Sequence, residues 1–344
     1  MNTVGTLRGW GTIDLNQFWP QNILSGNRSD SDADTVKVEL DPARPFDFVS
    51  ATGDRGDGNK LFDSGFLRKD KKQQLKFDPM IKADKAGHRI VTIRLQGIDA
   101  PELHYPGVGA TKYRQRMAET STVQLYKFLK SHSNSNLLEC ELITRVNKPN
   151  DVFDTYGRFV GDILIRKADG SQLNVNHWLL EFGYAFPSFY DSMLGEEISA
   201  ILALAGPAKK KRLNVWDYCS ATIHAIDQTV THDRNDPHYN AQTDKKPPVI
   251  NPKFFRRVYT FELEKKNPFS TRAFRTFLVS NSSTANDKFY ETKQFLTLKK
   301  KAPKQRLGRA LDALGHVLYG PHELVFTEKP TLLRDSQGQP ITSF

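Results

Sequence analysis

Alternating apolar and polar residues predict strands along the first half of the chain. The clearest run is 91–96, in which Val91, Ile93 and Leu95 share one face and polar residues occupy the other. A period of two is the pattern of a strand with one buried face. Comparable runs lie at residues 8–15, 32–40, 137–144 and 159–165. We therefore expect five strands in this half.

Apolar residues spaced three and four apart predict helices between and after these strands. The spacing covers residues 110–131 and 174–182, and it recurs over 198–205. Gly183 follows the second segment and is a typical helix terminator. Residues 41–89, rich in Asp, Gly and Lys, form a long insertion before the 91–96 strand. The predicted order is two strands, the insertion, a strand, a helix, two strands and two helices.

The second half has a different pattern. Residues 221–250 are polar, contain several Pro and His, and read as a linker between a first domain, 1–220, and a second domain, 251–344. From Phe254 onward the pattern favours strands, with one helix predicted near residues 309–317. The strand segments are 258–263, 273–279, 289–298 and 324–326. We expect a smaller, mostly β C-terminal domain.

Composition narrows the class of protein. A chain of 344 residues with 38% hydrophobic content is long enough for two cores. No stretch approaches the roughly 18 to 20 apolar residues of a membrane span, and the first ten residues lack an apolar signal core. Cys140 and Cys219 suggest neither a disulfide framework nor a metal pair. We expect a cytoplasmic protein without a membrane partner, and non-classical export stays open.

Positive charge is concentrated near the C-terminus. The formal net charge is +10. Residues 221–344 hold 20 Lys and Arg against 12 Asp and Glu, a net of +8, which leaves 29 minus 27, or +2, for residues 1–220. A basic half predicts a polyanionic partner such as nucleic acid. A solvated basic face is the alternative.

The candidate chemistry lies where the 91–96 strand ends. Arg94 lies on this strand, Gly97 lets the backbone bend, and Asp99 and Glu102 follow. Pro101 fixes its own φ and disfavours helix at the preceding residue, so both carboxylates are expected on a stiff corner. One guanidinium and two carboxylates at a rigid strand end suit metal-assisted phosphoryl chemistry.

Three ordered motifs resemble those of the staphylococcal nucleases, or thermonucleases, over residues 8–218. They read Asp32-Ala-Asp-Thr-Val36, Arg94-Leu-Gln-Gly-Ile-Asp-Ala-Pro-Glu102 and Asp154-Thr-Tyr-Gly-Arg158. The resemblance implies an α+β fold, a five-stranded OB-type barrel with three helices, whose sheet face can hold nucleic acid. The family usually has a short hairpin where this chain has residues 41–89. The insertion is therefore expected either to cover the site as a flap or to project from the domain.

The same resemblance implies roles for individual residues. Asp34, Asp99 and the backbone carbonyl of Ala100 would bind one Ca²⁺ ion, with Asp32 supporting them. An all-oxygen ligand set suits this hard cation. The catalytic residues would be Arg94, Glu102 and Arg158. The arginines would grip phosphate oxygens and Glu102 would orient or deprotonate water.

Aromatic residues are weaker candidates for nucleic-acid contacts. The four residues are Tyr113, Tyr156, Phe189 and Tyr190. Phe186, Phe189 and Tyr190 follow Gly183 and resemble the base-contacting aromatics of the family. Packing in the hydrophobic core is an equally good explanation for these rings.

The predicted function is a Ca²⁺-dependent endonuclease that hydrolyses DNA, RNA or both with low sequence specificity. One alternative is a catalytically silent nucleic-acid-binding or scaffold protein. Another places the main function in the C-terminal domain, as a docking module for a partner. Retention of the acidic and arginine positions together favours the enzyme.

Overall fold

The structure is a computed structural model of the chain. It describes residues 4–17, 32–44, 46–70, 72–106, 112–133, 135–167, 169–223, 248–265, 270–280, 285–329 and 331–344. Most of the predicted linker, residues 224–247, lies outside the described residues.

A closed barrel of five strands lies at the centre of the first half. The strands are β1 (Gly5–Asp14), β2 (Thr35–Leu40), β3 (Arg89–Leu95), β4 (Leu137–Val146) and β5 (Phe159–Arg166). They pair in the order β4-β5-β3-β2-β1, and β1 closes the sheet by pairing with β4 over its whole length. The β3–β5 pair is parallel and the others are antiparallel. The predicted OB-type α+β fold is confirmed.

Three helices pack around the barrel, as predicted. They are α1 (Ala118–Ser131), α2 (Val175–Glu181) and α3 (Gly195–Lys210). The side chain of Asn174 caps α2 by accepting a hydrogen bond from the backbone N–H of His177. Helix α1 begins at Ala118 and not at residue 110. Lys112–Tyr113 instead forms a short strand that pairs with Tyr105–Pro106.

The insertion packs onto the barrel and extends its sheet. Asp47–Val49 pairs with β1 and with Arg55–Asp57, and Lys82–Ala83 pairs with β3. Gly65–Lys69 and Leu75–Pro79 form a separate hairpin. Apolar residues of the insertion are buried in the same hydrophobic cluster as the barrel strands: Phe46, Phe48, Leu61, Met80 and Ile81. The insertion is therefore part of the barrel's core.

The C-terminal region contains strands, as predicted, but also helices where strands were predicted. Its elements are α4 (Pro252–Lys265), α5 (Thr271–Val279), β6 (Lys288–Glu291), α6 (Thr292–Leu298) and β7 (Leu324–Phe326). The strand predictions for 258–263 and 273–279 are wrong, and 289–298 is a strand only at its start. The predicted helix near 309–317 is wrong as well, because only a 3-10 turn, Leu307–Ala310, forms there.

The spacing of the buried residues explains why these segments are helices and not strands. Phe254, Val258 and Phe261 of α4 are buried at spacings of four and three. In α5, Phe274, Phe277 and Leu278 have the same kind of spacing. Aromatic and β-branched residues favour strands only weakly, and the packing of one helical face outweighs that preference here.

The C-terminal region contacts the barrel domain in several places, one of them the stacking of Tyr259 of α4 on Tyr113. The short strand Phe189–Tyr190 pairs in parallel with β7. Farther along, Arg334 exchanges backbone hydrogen bonds with Gly65 of the insertion, and the Phe344 ring stacks on Phe48 with centroids 4.0 Å apart. Among the described residues, none of the helices has the length and apolar character needed to span a membrane.

The remaining short elements connect these units. Short strands Ile98–Asp99 and Phe186–Pro187 pair with each other, Gln172–Asn174 pairs with β5, and Gln305–Arg306 pairs with β6. Other 3-10 turns are Gly58–Leu61, Pro149–Asp151, Asn214–Trp216, Lys299–Lys301 and Pro321–Glu323.

The insertion's contribution to the core is testable with Phe46→Ala. The Phe46 ring is buried and lies parallel to the Phe159 ring of β5, with centroids 6.0 Å apart. Removing it should lower the free energy of unfolding by about 3 to 5 kcal/mol, because a large buried ring leaves a cavity. Urea denaturation measures the change. Leu75→Ala in the exposed hairpin is the control, and an equally small effect for both would show that the insertion is not part of the core.

Candidate active site

Three carboxylates lie together where β2 begins and β3 ends. The register that pairs Thr35 with Arg94 brings Asp34 beside the end of β3, 60 positions away in sequence. Asp34 then accepts a hydrogen bond through Oδ2 from the Ala100 N–H at 2.9 Å. Gly97, at φ +76°, turns the chain so that Asp99 and Glu102 follow on the same side. The barrel thus assembles Asp34, Asp99 and Glu102, all of them buried.

Arg94 bridges two of these carboxylates. One terminal nitrogen of its guanidinium lies 2.6 Å from Asp34 Oδ2, and the other lies 2.8 Å from Asp99 Oδ1. The side chain is 12% exposed. Arg94 lies on the partly buried face of β3, and this placement brings its guanidinium to the two aspartates. The proposed metal ligands therefore share one guanidinium.

A second guanidinium, that of Arg256, enters the cluster from α4. It donates to both oxygens of Asp99, at 3.2 Å to Oδ1 and 2.9 Å to Oδ2, and it also donates to Glu102 Oε1. Sequence reasoning missed this residue. The available signal was an arginine within the aromatic run that starts at Phe254, since a charge on a largely apolar helix needs a buried partner.

Two equally buried aspartates differ in their pKa because they have different partners. Burial raises the pKa of Asp34 above its ordinary value, and Arg94 only partly offsets this. Burial acts on Asp99 in the same direction, yet its pKa is lowered because Arg256 and Arg94 both stabilise the charged form. Asp99 is therefore the anionic centre of the cluster.

Glu102 is held by Gln115, a second residue that sequence reasoning missed. The Gln115 side chain accepts from the Glu102 N–H at 3.0 Å, and the Gln115 N–H donates to the Glu102 carbonyl at 2.7 Å. The Gln115 amide also donates to the carbonyl of Ile250, just before α4. Burial raises the pKa of Glu102 to about 8, a shift that Arg256 partly offsets. Gln115 thus fixes the backbone of Glu102, and burial raises the pKa of its carboxyl group.

Arg158 approaches from the other side of the cluster. The turn before it is closed by Asp154, whose carboxylate accepts from the Tyr156 and Arg158 N–H groups, with Gly157 at φ +87°. Asp154 also binds Arg158 Nε at 2.8 Å and one terminal nitrogen at 2.7 Å. The other terminal nitrogen donates to Thr35 Oγ1 at 3.3 Å. Thr35 in turn donates to Asp34, so Arg158 reaches the carboxylates through Thr35.

Asp32 supports the segment that follows Glu102. Its Oδ1 accepts from the Leu103 N–H at 3.2 Å and lies 2.9 Å from His104 Nδ1. The sequence predicted a supporting role for Asp32, but it did not indicate His104 as the partner. This pair ties the loop before β2 to the corner that carries the carboxylates.

The four candidate aromatics have very different surroundings. Phe189 is fully buried against β7, so it is a core residue and offers no ring surface to a base. Tyr113 stacks on Tyr259 of α4 with centroids 4.0 Å apart. Tyr190 is half-buried beside Lys253, whose Nζ lies 5.6 Å from the ring. Tyr156 is 76% exposed and lies against Arg158.

Comparison with known families agrees with this geometry. A family model described as "Staphylococcal nuclease homologue" matches residues 92–218. This segment is therefore similar to staphylococcal nuclease homologues, and it carries Arg94, Asp99, Glu102 and Arg158. No curated protein matches the chain. Asp34 lies before the matched segment and Arg256 lies after it, so the fold adds residues from both sides.

The donor set agrees in chemistry with the calcium ion that the family implies. Asp34 and Asp99 offer carboxylate oxygens, and the Ala100 peptide lies against Asp34. Within the described ranges, no group of three His, Cys, Asp or Glu side chains has the arrangement of a metal site. Both Asp99 oxygens are bonded to guanidinium nitrogens. The oxygen donors are of the kind that a hard cation prefers, and a cation at Asp99 would have to compete with both Arg94 and Arg256.

The raised pKa of Glu102 predicts a specific pH dependence of stability. Between its ordinary pKa of 4.5 and the folded value of about 8, the folded state holds a proton that the unfolded state has released. The free energy of unfolding should therefore fall as pH rises from about 5 to about 8. Glu102→Gln removes this titration, so its stability relative to wild type should rise by on the order of a few kcal/mol across that range.

Urea denaturation at several pH values measures this difference. The exposed Glu139→Gln is the matched control and should keep the wild-type pH dependence. Parallel curves for Glu102→Gln and the wild type would mean that Glu102 stays ionised in the folded protein.

Proposed function

We propose that this protein is a nuclease that hydrolyses phosphodiester bonds in DNA, RNA or both, as an endonuclease of low sequence specificity that uses Ca²⁺. A nuclease or nucleic-acid-binding role follows from the family of residues 92–218. The observation that carries the finer proposal is the convergence of Asp34, Asp99 and Glu102 with two arginines on one end of the barrel. A site with this composition suits attack on an anionic ester.

The proposed chemistry divides between charge stabilisation and proton transfer. Asp34, Asp99 and the Ala100 carbonyl would hold the ion. When bound, this ion would supply positive charge to offset the charge that develops on the phosphate oxygens. Arg158 is held along one edge by Asp154, which leaves its other terminal nitrogen on the side of the carboxylates. There it can donate to a phosphate oxygen.

Glu102 is the proposed acceptor of the proton from the attacking water. A general base works best when its pKa lies near the working pH, and burial brings Glu102 into that range. The hydrogen bonds to Gln115 fix the backbone of Glu102 at this corner. Arg94 binds both aspartates and therefore also positions the proposed ligands.

Nucleic acid would reach the site across an exposed aromatic and basic surface. Tyr156 is the most exposed of the candidate rings and lies beside Arg158, where it can stack on a base without sequence preference. The net charge of +8 in residues 221–344 would attract the polyanion. A docking partner for the C-terminal region stays a prediction.

One observation favours a second candidate, a nucleic-acid-binding protein without catalysis. Arg256 occupies both oxygens of Asp99 and one of Glu102. In a protein in which this contact never opens, Asp99 would be closed to a cation and Glu102 would stay paired with a guanidinium. Binding without cleavage would then be its activity.

Cleavage assays distinguish the two candidates. Single-stranded DNA, double-stranded DNA and RNA are incubated at fixed salt with the full chain and Ca²⁺, Mg²⁺ or EDTA, because electrostatic binding depends steeply on salt. We expect cleavage with Ca²⁺ that EDTA abolishes. Arg158→Ala should lower kcat by about 100-fold, the usual cost of one lost donor to a developing charge. Glu102→Gln should lower it at least as much.

The control is Arg166→Ala, an exposed arginine on barrel strand β5. It removes the same charge and should leave cleavage near the wild-type rate. Binding of all three polymers with no cleavage under any condition would favour the non-catalytic candidate.

A further inference from the structure

Helix α4 covers the end of the barrel that carries the carboxylates. It lies outside the segment that matches the nuclease family. Three of its residues contact the candidate carboxylates or the candidate aromatics Tyr113 and Tyr190. These are Lys253 beside Tyr190, Arg256 on Asp99 and Glu102, and Tyr259 on Tyr113. The contacts are on one side of the helix at spacings of three, so they form a continuous surface.

The Arg256 contact occupies three of the oxygen atoms that the proposed reaction uses. A carboxylate binds a cation through its oxygen lone pairs, and both Asp99 oxygens accept from Arg256. A general base needs a free oxygen, and Glu102 Oε1 accepts from the same guanidinium. The side chain of Arg256 is 21% exposed, so the blocking group sits at the mouth of the cluster.

The aromatic contacts cover a surface that bases would use. Tyr113 and Tyr259 are nearly parallel, with an angle of 17° between their ring planes, so one face of Tyr113 is occupied by α4. Tyr105 lies against the same helix, 6.4 Å from the Phe255 ring centroid and 3.4 Å from Thr260 through its hydroxyl. Bases cannot stack on these faces while α4 is in place.

Helix α4 is anchored from behind. Phe254, Val258 and Phe261 are buried in the hydrophobic cluster of the C-terminal region. In front, the Gln115 amide binds the carbonyl of Ile250, so the same glutamine that holds Glu102 also holds the start of the helix. The covering position is therefore a packed arrangement and not a loose contact.

We propose that α4 is an autoinhibitory helix, and that Arg256 is an internal competitor for the cation that binds Asp99. This inference rests on the proposed function. A dication competes with the guanidinium for the Asp99 oxygens, and substrate phosphates offer the freed guanidinium another bidentate acceptor. The resting protein is closed, and the cation together with nucleic acid opens it.

Calcium affinity tests the inference without any cleavage assay. Isothermal titration with Ca²⁺ is performed on the full-length wild type, Arg256→Ala and the control Arg257→Ala. Arg257 is the next residue on α4, but it pairs with Asp287 of the C-terminal region. The Arg257→Ala substitution therefore removes the same charge without changing the carboxylate cluster. We expect Arg256→Ala to bind Ca²⁺ about tenfold or more tightly than wild type, as expected for loss of a close charge pair. The control should bind within about twofold.

A cleavage assay at subsaturating Ca²⁺ then adds an independent readout. Arg256→Ala should cut faster than wild type, whereas loss of a catalytic arginine would slow the reaction. Equal or weaker Ca²⁺ affinity in Arg256→Ala, with the wild type still binding and cutting, would overturn the inference and leave the nuclease proposal standing. Absence of Ca²⁺ binding and cleavage in every variant would overturn both.

Removal of Arg256 takes one positively charged partner away from the buried carboxylates, so folding of the variants must be checked. Arg256→Gln keeps hydrogen-bond donors without the charge and carries the same expectation for Ca²⁺ affinity. Thermal unfolding followed by circular dichroism monitors all variants. If neither Arg256 variant folds, the contact is a structural ion pair and the inference is overturned.

Discussion

The site depends on keeping three carboxylates charged or compensated inside the protein. Transfer of an ionised group from water to a buried position costs several kcal/mol, and that cost is offset only by close opposite charges and hydrogen bonds. Asp34, Asp99 and Glu102 meet this requirement unequally. Asp99 has two guanidinium partners and a lowered pKa, whereas Glu102 is protonated more easily because a single arginine does not balance its burial. The electrostatics of the whole site follow from this imbalance.

The compensating charges come from separate parts of the chain. Arg94 belongs to the barrel strand next to the carboxylates, but Arg256 is delivered by a helix that packs in a different hydrophobic cluster. The position of α4 therefore controls the charge of the site. Gln115 links the two, because it binds both the backbone of Glu102 and the residue before α4. A movement of the C-terminal region would therefore change the hydrogen bonds that hold the backbone of Glu102.

Sequence patterns predicted the elements and residues that local order determines. They missed the residues that reach the site only through tertiary contacts. The five strands, helix α2 and the convergence of Asp34 with Asp99 follow from periodicity and motifs. Arg256 could not be predicted this way, since no motif connects it to Asp99, 157 positions earlier. Helix α4 was mistaken for a strand because its aromatic residues favour strands, and only its burial pattern reveals the helical face. The insertion was unclear because its short strands gain their pairing from β1 and β3.

Closure of the barrel by β1 and β4 has a consequence for how the chain folds. The paired residues Gly5 and Val146 are about 140 positions apart, and two of the five strands precede residue 92, where the family match begins. The matched segment alone thus has β4, β5 and only the last part of β3, and it leaves two strand edges unpaired. Bringing such distant strands together requires closure of a long loop, which is typical of slow-folding β topologies. The unit of folding therefore begins at β1, before the segment that matches the family model.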